Sequence, residues 1–234
     1  MKTQTDEMRV EEGRTKLTVT HNGEDLTFIH PYFGPGTYSE VGNLIDQAKP
    51  KLLKPTLAQT ASLVNTAFNS KDRYSQEIVG LMKKGWLWGF TRILYIPKEG
   101  AYFKDNTEVK DEKPYLERSE LVKKLEQNEP SVRFVPFGFK LGEMTPEELR
   151  KNQFVIGLVG EEGADKLAEV AGKHRLNPVV YGLESVENIE TRVSALDSFR
   201  NAGGLGVLGY YHGYGGDGFA FGYVPKKFPQ EINL

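Results

Sequence analysis

The sequence predicts an α+β fold in a single domain that spans residues 1–234. Segments with apolar residues at helical spacing occupy much of the chain before residue 178, and short alternating β segments follow one another over 178–224. The chain has no internal repeat and no linker long enough to separate two domains. Helices and strands grouped along a chain in this way are typical of α+β domains.

The N-terminal region, residues 1–29, is predicted to contain a β-hairpin. Residues 17–28 alternate in polarity on both sides of Asn22-Gly23. This pair favours the type I′ turn, because both of its residues tolerate a positive φ. The sequence therefore predicts two antiparallel strands joined at Asn22-Gly23.

The helices are predicted from apolar residues at helical spacing and from residues that cap helix starts. Thr145-Pro146-Glu147-Glu148 is the clearest start, because it combines a capping box with proline at the first helical position. The predicted helices are 40–49 with Ser39 as the cap, 56–68 opened by Pro55-Thr56, 74–84, 119–128 from Ser119, a segment from Thr145, and 163–175.

Strands are predicted where β-branched and aromatic residues are dense, or where a short apolar run is bounded by turn residues. The charged stretch 98–117 is predicted to be an irregular excursion at the surface. The predicted strands are 86–97, 133–139, the buried apolar run 154–160, and four short segments that begin at Pro178, Thr191, Gly204 and Phe219.

The composition argues against several classes of function. The 30 basic and 32 acidic residues leave a formal charge of −2, so no global field favours nucleic acid or an anionic membrane. No apolar run approaches the roughly 18 residues of a membrane helix, and the polar N-terminus is unlike a signal peptide. We therefore expect no membrane insertion. The sequence leaves the location open among the cytoplasm, a virion and a cell surface. The chain has no cysteine, which removes disulfides, thiolate zinc sites and cysteine nucleophiles.

Residues 204–209, GLGVLG, match the dinucleotide-binding pattern G-x-G-x-x-G. That pattern requires a following helix within a βαβ unit of roughly 30 residues. Here the next segment is YYHGYGGDGF, whose four glycines disfavour a helix, and only 25 residues remain after Gly209. We therefore predict that these glycines bind no nucleotide, and that the protein needs no cofactor.

The sequence also lacks a pattern of catalytic or metal-binding residues. The four histidines, His21, His30, His174 and His212, lie far apart and form no i, i+4 pair for a metal ion. His212, among tyrosines, is a candidate general base, but a lone histidine is more often a plain polar contact. We predict no catalytic residue and no metal site.

The stretch 191–225 lacks five residue types: Lys, Glu, Gln, Met and Trp. These types make up 56 of the 234 residues, so a window of this length would hold about eight of them. Turn-rich β segments explain part of the deficit, because they favour glycine and tyrosine over lysine and glutamate. A genetic cause explains more: these five are the types that cannot arise when asparagine codons are randomised at their adenines only.

Residues 191–224, TRVSALDSFRNAGGLGVLGYYHGYGGDGFAFGYV, resemble the variable region of diversity-generating retroelement proteins, particularly those of archaea and archaeal viruses. The upstream segments KPTLAQTASLVNTAF, RFVPFGFK and FVIGLVGEEGADKLAEVA are similar to the same group. The resemblance covers most of residues 30–224 and is concentrated in RVSAL, GLGVLG and AFGYV. Residues 1–29 and the residues after Val224 carry none of it.

The resemblance implies a C-type lectin fold, in which a small antiparallel C-terminal sheet displays variable residues. The implied function is that of a diversified ligand-binding protein without catalysis, whose partner is a protein or a cell-surface ligand. The implied framework positions, buried in the sheet, are Arg192, Val193, Ala195, Leu196, Leu205, Val207, Ala220 and Phe221.

The resemblance also implies a set of displayed residues, whose tyrosines suit a binding surface as they do in antibodies. Because neighbours on a strand point to opposite faces, we expect at least one of the adjacent tyrosines in this set to be exposed. The displayed, ligand-binding residues are Asp197, Phe199, Arg200, Asn201, Tyr210, Tyr211, His212, Tyr214 and Asp217, with Ser198 and Phe219 as further candidates.

Two alternatives to diversified binding remain. An enzyme of the formylglycine-generating type is also similar to the C-type lectin fold, but its chemistry relies on cysteines, which this chain lacks. The other alternative is a virion structural domain of fixed sequence. A near-copy of the variable region beside a reverse transcriptase gene would favour diversification over both.

Overall fold

The structure, a computed structural model, describes residues 9–11, 14–106, 109–110, 113–114, 116–198 and 203–225. Its strands are β1 (Arg9–Glu11), β2 (Arg14–His21), β3 (Glu24–His30), β4 (Phe33–Gly36), β5 (Trp86–Ile96), β6 (Gly100–Asp105), β7 (Val109–Lys110), β8 (Lys113–Pro114), β9 (Val132–Pro136), β10 (Gly142–Glu143), β11 (Asn177–Tyr181), β12 (Glu190–Asp197), β13 (Gly204–Tyr211) and β14 (Gly218–Ala220). Its helices are α1 (Tyr38–Asp46), α2 (Leu57–Asn69), α3 (Arg73–Lys84), α4 (Arg118–Glu126), α5 (Pro146–Lys151) and α6 (Gln153–His174).

Nine of the strands form one mixed sheet, in the order β10-β11-β13-β12-β5-β14-β4, with β6 paired to β5 and β9 paired to β6. β12 is antiparallel to both β13 and β5, whereas β11 is parallel to β13 and β14 is parallel to β5. The C-terminal strands are therefore part of a larger sheet. β5 is central to it, and ten of its eleven residues are buried.

The sheet is covered by helices on both faces. On one face, α2 and α6 pack against a cluster that includes Leu87, Leu196 and Val207. On the other face, α1 contributes Tyr38 and other apolar residues to a cluster with the two tryptophans of β5. Because each fully buried large apolar side chain contributes roughly 1.5–3 kcal/mol, these two clusters hold the strands in register.

Two of the predicted helix starts are confirmed, and a third is corrected. Thr56 and Thr145 each form a capping box, the first with Gln59 and the second with Glu148. The cap of α1 is Thr37, and the prediction of Ser39 was wrong. Thr37 has glutamate three residues later, so its Oγ1 accepts from the Glu40 amide while the Glu40 carboxylate accepts from the Thr37 amide.

The apolar run 154–160, predicted to be a strand, is the first part of α6. Asn152 caps this helix, because its Oδ1 accepts from the amide of Val155 at 3.1 Å. Gly160 interrupts the helix with φ 72° and ψ 172°. Phe154 and Leu158 are both fully buried. The prediction of a strand was wrong because a short helix that is buried on several sides has the same continuous apolar sequence as a buried strand.

The charged stretch 98–117, predicted to be irregular, contains β6, which lies between β5 and β9. Phe103 is fully buried in this strand. The charge at its end is compensated inside the fold, since the Asp105 carboxylate accepts from both terminal nitrogens of Arg133 at 2.6 and 3.0 Å. The prediction of an irregular segment was wrong because charged residues that are paired within the fold look, in sequence, like those of a surface loop.

The predicted N-terminal hairpin is present as β2 and β3, and Asn22 and Gly23 have φ of 51° and 74° as the type I′ turn requires. A polar cluster attaches it to α2 and α6. The Ser62 hydroxyl lies 3.0 Å from His21 Nδ1 and accepts from Lys166 Nζ at 2.9 Å.

We expect the hairpin contact to make stability depend on pH. Burial lowers the pKa of His21; the Glu162 carboxylate partly offsets this, and the Lys166 charge adds to it. In mildly acidic solution His21 is therefore protonated to a greater extent in the unfolded chain than in the folded protein. The free energy of unfolding should rise with pH in the range below about pH 6.5, by at most about 1.4 kcal/mol per pH unit from this one group, and level off above.

Urea unfolding of the protein and of His21→Gln across this pH range tests the expectation. The glutamine variant should show a smaller slope. Equal slopes would show that His21 is not the group responsible.

Candidate functional site

The candidate site is built on β12 and β13. Leu196 pairs with Val207 and faces α2 and α6, while Ala195 pairs with Leu208 and faces the side of α1. The predicted framework is confirmed as buried, with every member at most 8 % exposed: Arg192, Val193, Ala195, Leu196, Leu205, Val207, Ala220 and Phe221.

A β-bulge sets the position of the two adjacent tyrosines. Val193 pairs with Tyr211 and Ala195 pairs with Leu208, so β13 has one more residue than β12 over this step. Strict alternation fails there. The rings of Tyr210 and Tyr211 stack with centroids 4.5 Å apart, and both pack against the apolar cluster on the side of α1. Tyr210 and Tyr211 therefore lie on the same face and not on opposite faces as predicted, and both are partly exposed.

Five rings form a surface at this end of β13, which we call the aromatic surface: Tyr181, Tyr210, Tyr211, His212 and Tyr214. Tyr181 contacts Tyr210 at a centroid distance of 5.6 Å. Beyond the strand, the rings of His212 and Tyr214 lie parallel, 5.8 Å apart. Tyr214 is 84 % exposed, so its ring contributes little to packing.

Buried tryptophans support the aromatic surface from below. The Tyr211 ring meets Trp86 edge-on at 5.1 Å, and Trp86 stacks on Trp88 at 5.6 Å. Trp88 is fully buried and its Nε1 donates to the Gly36 carbonyl at 3.2 Å. Through Tyr211, the aromatic surface therefore packs on the tryptophan rings of the central strand, β5.

The connection from β13 to β14 follows these tryptophans closely. The Gly213 carbonyl accepts from the Tyr38 amide at 3.0 Å, and the Asp217 carbonyl accepts from the Trp86 amide at 3.2 Å. A Cβ on Gly218 would lie 1.8 Å from Trp88 Nε1. Glycine at 218 is therefore required so that the backbone can approach the indole.

Tyr38 joins α1 to the same ring cluster. It meets Trp88 edge-on, and the Arg92 guanidinium lies over its ring, 4.8 Å from the centroid. Burial raises the pKa of the Tyr38 hydroxyl to about 12, despite the opposing effect of Arg92. Tyr38 is thus a neutral hydrogen-bonding group of the core.

The displayed residues predicted from the resemblance fall into three groups. Tyr210 and Tyr211 are half-buried, and His212, Tyr214 and Asp217 are exposed. The further candidates Ser198 and Phe219 are buried, each 7 % exposed. Phe199, Arg200 and Asn201 lie outside the described residues.

Asp197 was predicted to be displayed. This prediction was wrong, because the residue is only 2 % exposed. It is the last residue of β12 and pairs with Gly206. Its carboxylate occupies the space that a side chain on residue 206 would fill, since Oδ1 lies 2.1 Å from the position of that missing Cβ. Asp197 is buried because residue 206 is a glycine and has no side chain. The sequence pattern does not reveal that these two residues are paired.

A groove of about 560 Å³ lies at the opposite end of β12 and β13. Ser198 and Gly203, on either side of 199–202, line it together with side chains of α2, α3 and α6, among them Phe68, Lys83 and His174. The groove is separate from the aromatic surface, which is at the other end of β13.

Sequence reasoning missed three parts of the site: Tyr181, Trp86 and Trp88. The density of aromatic residues in 86–97 was visible, but it indicated only a strand. Their relation to Tyr211 depends on pairing between segments more than 100 residues apart in the chain. Among the described residues, no group of three or more His, Asp or Glu side chains could hold a metal ion.

No family model matches the chain, and no curated protein matches it. A solved structure described as "Accommodation of massive sequence variation in Nanoarchaeota by the C-type lectin fold" does match, with a TM-score of 0.55 over 87 % of this chain and 99 % of that chain. This chain has the C-type lectin fold. The two sequences are 13 % identical, so the likeness concerns the fold alone.

Within this C-type lectin fold, none of the helices that the structure describes is long and apolar enough to cross a membrane.

We expect the two glycines at 216 and 218 to respond differently to alanine. Gly218→Ala places a methyl group against the Trp88 indole and should lower the free energy of unfolding by about 1–3 kcal/mol. Gly216→Ala meets no atom within 4 Å and should stay within about 0.5 kcal/mol. Chemical denaturation of both variants gives the comparison, and equal losses would show that the close approach to Trp88 is not the constraint.

Proposed function

We propose that this protein binds a ligand through the aromatic surface and that adenine-directed mutagenesis by a retroelement diversifies this surface. One observation carries the proposal: residues 204–209 of β13 are all buried, and the chain leads from them directly into exposed rings. Leu208 is completely buried, whereas Tyr214, six residues later, is 84 % exposed. Change at the second position can therefore alter contacts to a ligand without changing the core.

The chemistry of the surface suits recognition of a protein or a surface ligand. Tyrosine provides a large amphipathic contact area with few rotatable bonds, so little conformational entropy is lost on binding. Clusters of exposed rings on soluble proteins commonly mark interaction sites. On this proposal, the ligand contacts are Tyr210, Tyr211, His212, Tyr214 and Asp217. The predicted contacts Phe199, Arg200 and Asn201 lie outside the described residues and stay a prediction.

Diversification is supported by the missing residue types in 191–225. It is also supported by the backbone, which Gly213 and Gly218 fix against Tyr38 and Trp88 without the help of the exposed side chains. A site that must change in sequence requires such a backbone, because core packing does not tolerate changes of even one methylene.

Two libraries displayed on yeast test whether the surface tolerates variation and binds. The first varies Tyr210, Tyr211, His212, Tyr214 and Asp217 by adenine-directed changes of asparagine codons; the matched control varies Ala195, Leu196, Leu205, Val207 and Leu208 in the same way.

We expect most members of the first library to reach the cell surface folded, and sorting against a model protein such as lysozyme to yield binders. The control library should lose surface display, because its members leave cavities or polar groups in the core. Equal loss of display in both libraries would contradict the proposal.

Sequencing of the gene across a natural population tests the mechanism. We expect substitutions concentrated at the proposed contact positions and confined to residue types other than Lys, Glu, Gln, Met and Trp. Leu205 and Val207 should stay constant. Substitutions spread evenly over the gene, or frequent lysine and glutamate at the contacts, would exclude adenine-directed diversification while leaving a fixed binding surface possible.

A further inference from the structure

Negative charge flanks the aromatic surface. Residues 177–225 contain five acidic residues, but only two arginines, Arg192 and Arg200, and no lysine. Arg192 is already engaged, because its Nη1 donates to the Glu190 carboxylate at 2.6 Å and its side chain is 10 % exposed. The described part of this segment thus offers carboxylates to a ligand and no exposed cation.

Glu184 and Glu187 are exposed residues of the connection 182–189 between β11 and β12, whose Leu183 and Val186 pack against the cluster on the face of α2 and α6. In the sheet, β13 lies between β11 and β12. Tyr181 pairs with Leu208, and Val193 pairs with Tyr211. The connection must therefore cross the end of β13 that carries Tyr210 and Tyr211.

The carboxylates of Glu184 and Glu187 are accessible. Both residues are exposed, and neither forms an ion pair with any residue that the structure describes. Lys140, which precedes β10 beside β11, is paired with Glu148 at 2.8 Å. Asp217 is a third exposed carboxylate, but its backbone lies close to Gly85, directly after the end of α3 that carries Lys83 and Lys84. The excess of negative charge is therefore greatest beside Tyr181 and Tyr210.

We infer that the aromatic surface selects partners that present lysine or arginine side chains, so that its ligand is a basic segment of a protein. The inference rests on the proposed function. Tyrosine faces attract ammonium and guanidinium groups, and adjacent carboxylates attract the same groups. An exposed apolar side chain in the same connection, Ile189 at 62 % exposure, provides contact for the stems of such side chains.

This selectivity is independent of diversification. Tyr181, Glu184 and Glu187 all precede the stretch 191–225, and glutamate is a type that adenine-directed changes of asparagine codons do not produce. Fixed carboxylates beside variable positions would give every sister protein the same preference for cationic ligands. The variable residues would then distinguish one basic segment from another.

Selection of random dodecapeptides displayed on phage, with the purified full-length protein as bait, tests the inference. A variant with Tyr210, Tyr211 and Tyr214 all changed to Ser serves for counter-selection, after its fold is confirmed by circular dichroism. We expect the retained peptides to be enriched in Arg and Lys. Retained peptides without that enrichment would overturn the inference and leave the proposed function intact, whereas failure to retain any peptide would count against both.

Matched charge variants sharpen the test with one synthetic peptide from that selection. In 50 mM salt, Glu184→Gln with Glu187→Gln should weaken its binding by about threefold to tenfold, as expected for two exposed charge pairs. Glu126→Gln with Glu161→Gln removes two exposed carboxylates elsewhere and should leave binding unchanged. Added salt should reduce the difference between the two variants. Equal binding by both double variants would overturn the role of the flanking carboxylates.

Discussion

The burial of Trp88 is the constraint on which the position of the aromatic surface depends. Its ring is fully buried, is stacked on Trp86 and contacts Tyr38 of α1. Its Nε1 donates to the carbonyl of Gly36 in β4, and the backbone at Gly218 in β14 lies directly against it. One side chain of the central strand therefore fixes α1, β4 and β14. The connection that carries His212 and Tyr214 is fixed in turn, because it ends at Gly218.

This arrangement separates folding from recognition. The interactions that stabilise the sheet are made by β5, ten of whose eleven residues are buried, and by the buried residues of β12 and β13. The exposed rings add area to a backbone that is already fixed by glycine contacts and main-chain hydrogen bonds. Such a surface loses little conformational entropy when it binds, because its backbone is ordered before a ligand arrives. On the proposed function, the same property would allow its side chains to differ between sister proteins.

On the proposed function, the aromatic surface and its acidic flank form two parts of one binding surface. Tyr210 to Asp217 belong to the stretch that lacks five residue types, whereas Tyr181 and the carboxylates of 182–189 do not. The sheet brings the two parts together only because β13 lies between β11 and β12. A fixed part that sets the charge of the ligand and a variable part that sets its shape would divide specificity between them.

The sequence by itself determined the elements whose signals are local. The Asn22-Gly23 turn and the caps at Thr56 and Thr145 each depend on residues within a few positions of one another, so the pattern was sufficient. The buried framework of β12 and β13 was also indicated, as what the resemblance of this stretch to a variable region implies. The resemblance of 191–224 to a variable region led to the C-type lectin fold.

Tertiary structure decided the rest. The run 154–160 is helical because Asn152 caps it and the core surrounds it, and periodicity alone does not distinguish that environment from a strand between two layers. Asp197 is buried because its partner across the ladder, Gly206, has no side chain. Tyr210 and Tyr211 share one side because of a bulge in the pairing with β12, and Tyr211 meets Trp86 because β12 also pairs with β5. Each of these outcomes depends on which strands are neighbours, and that choice is made by the packing of the whole chain.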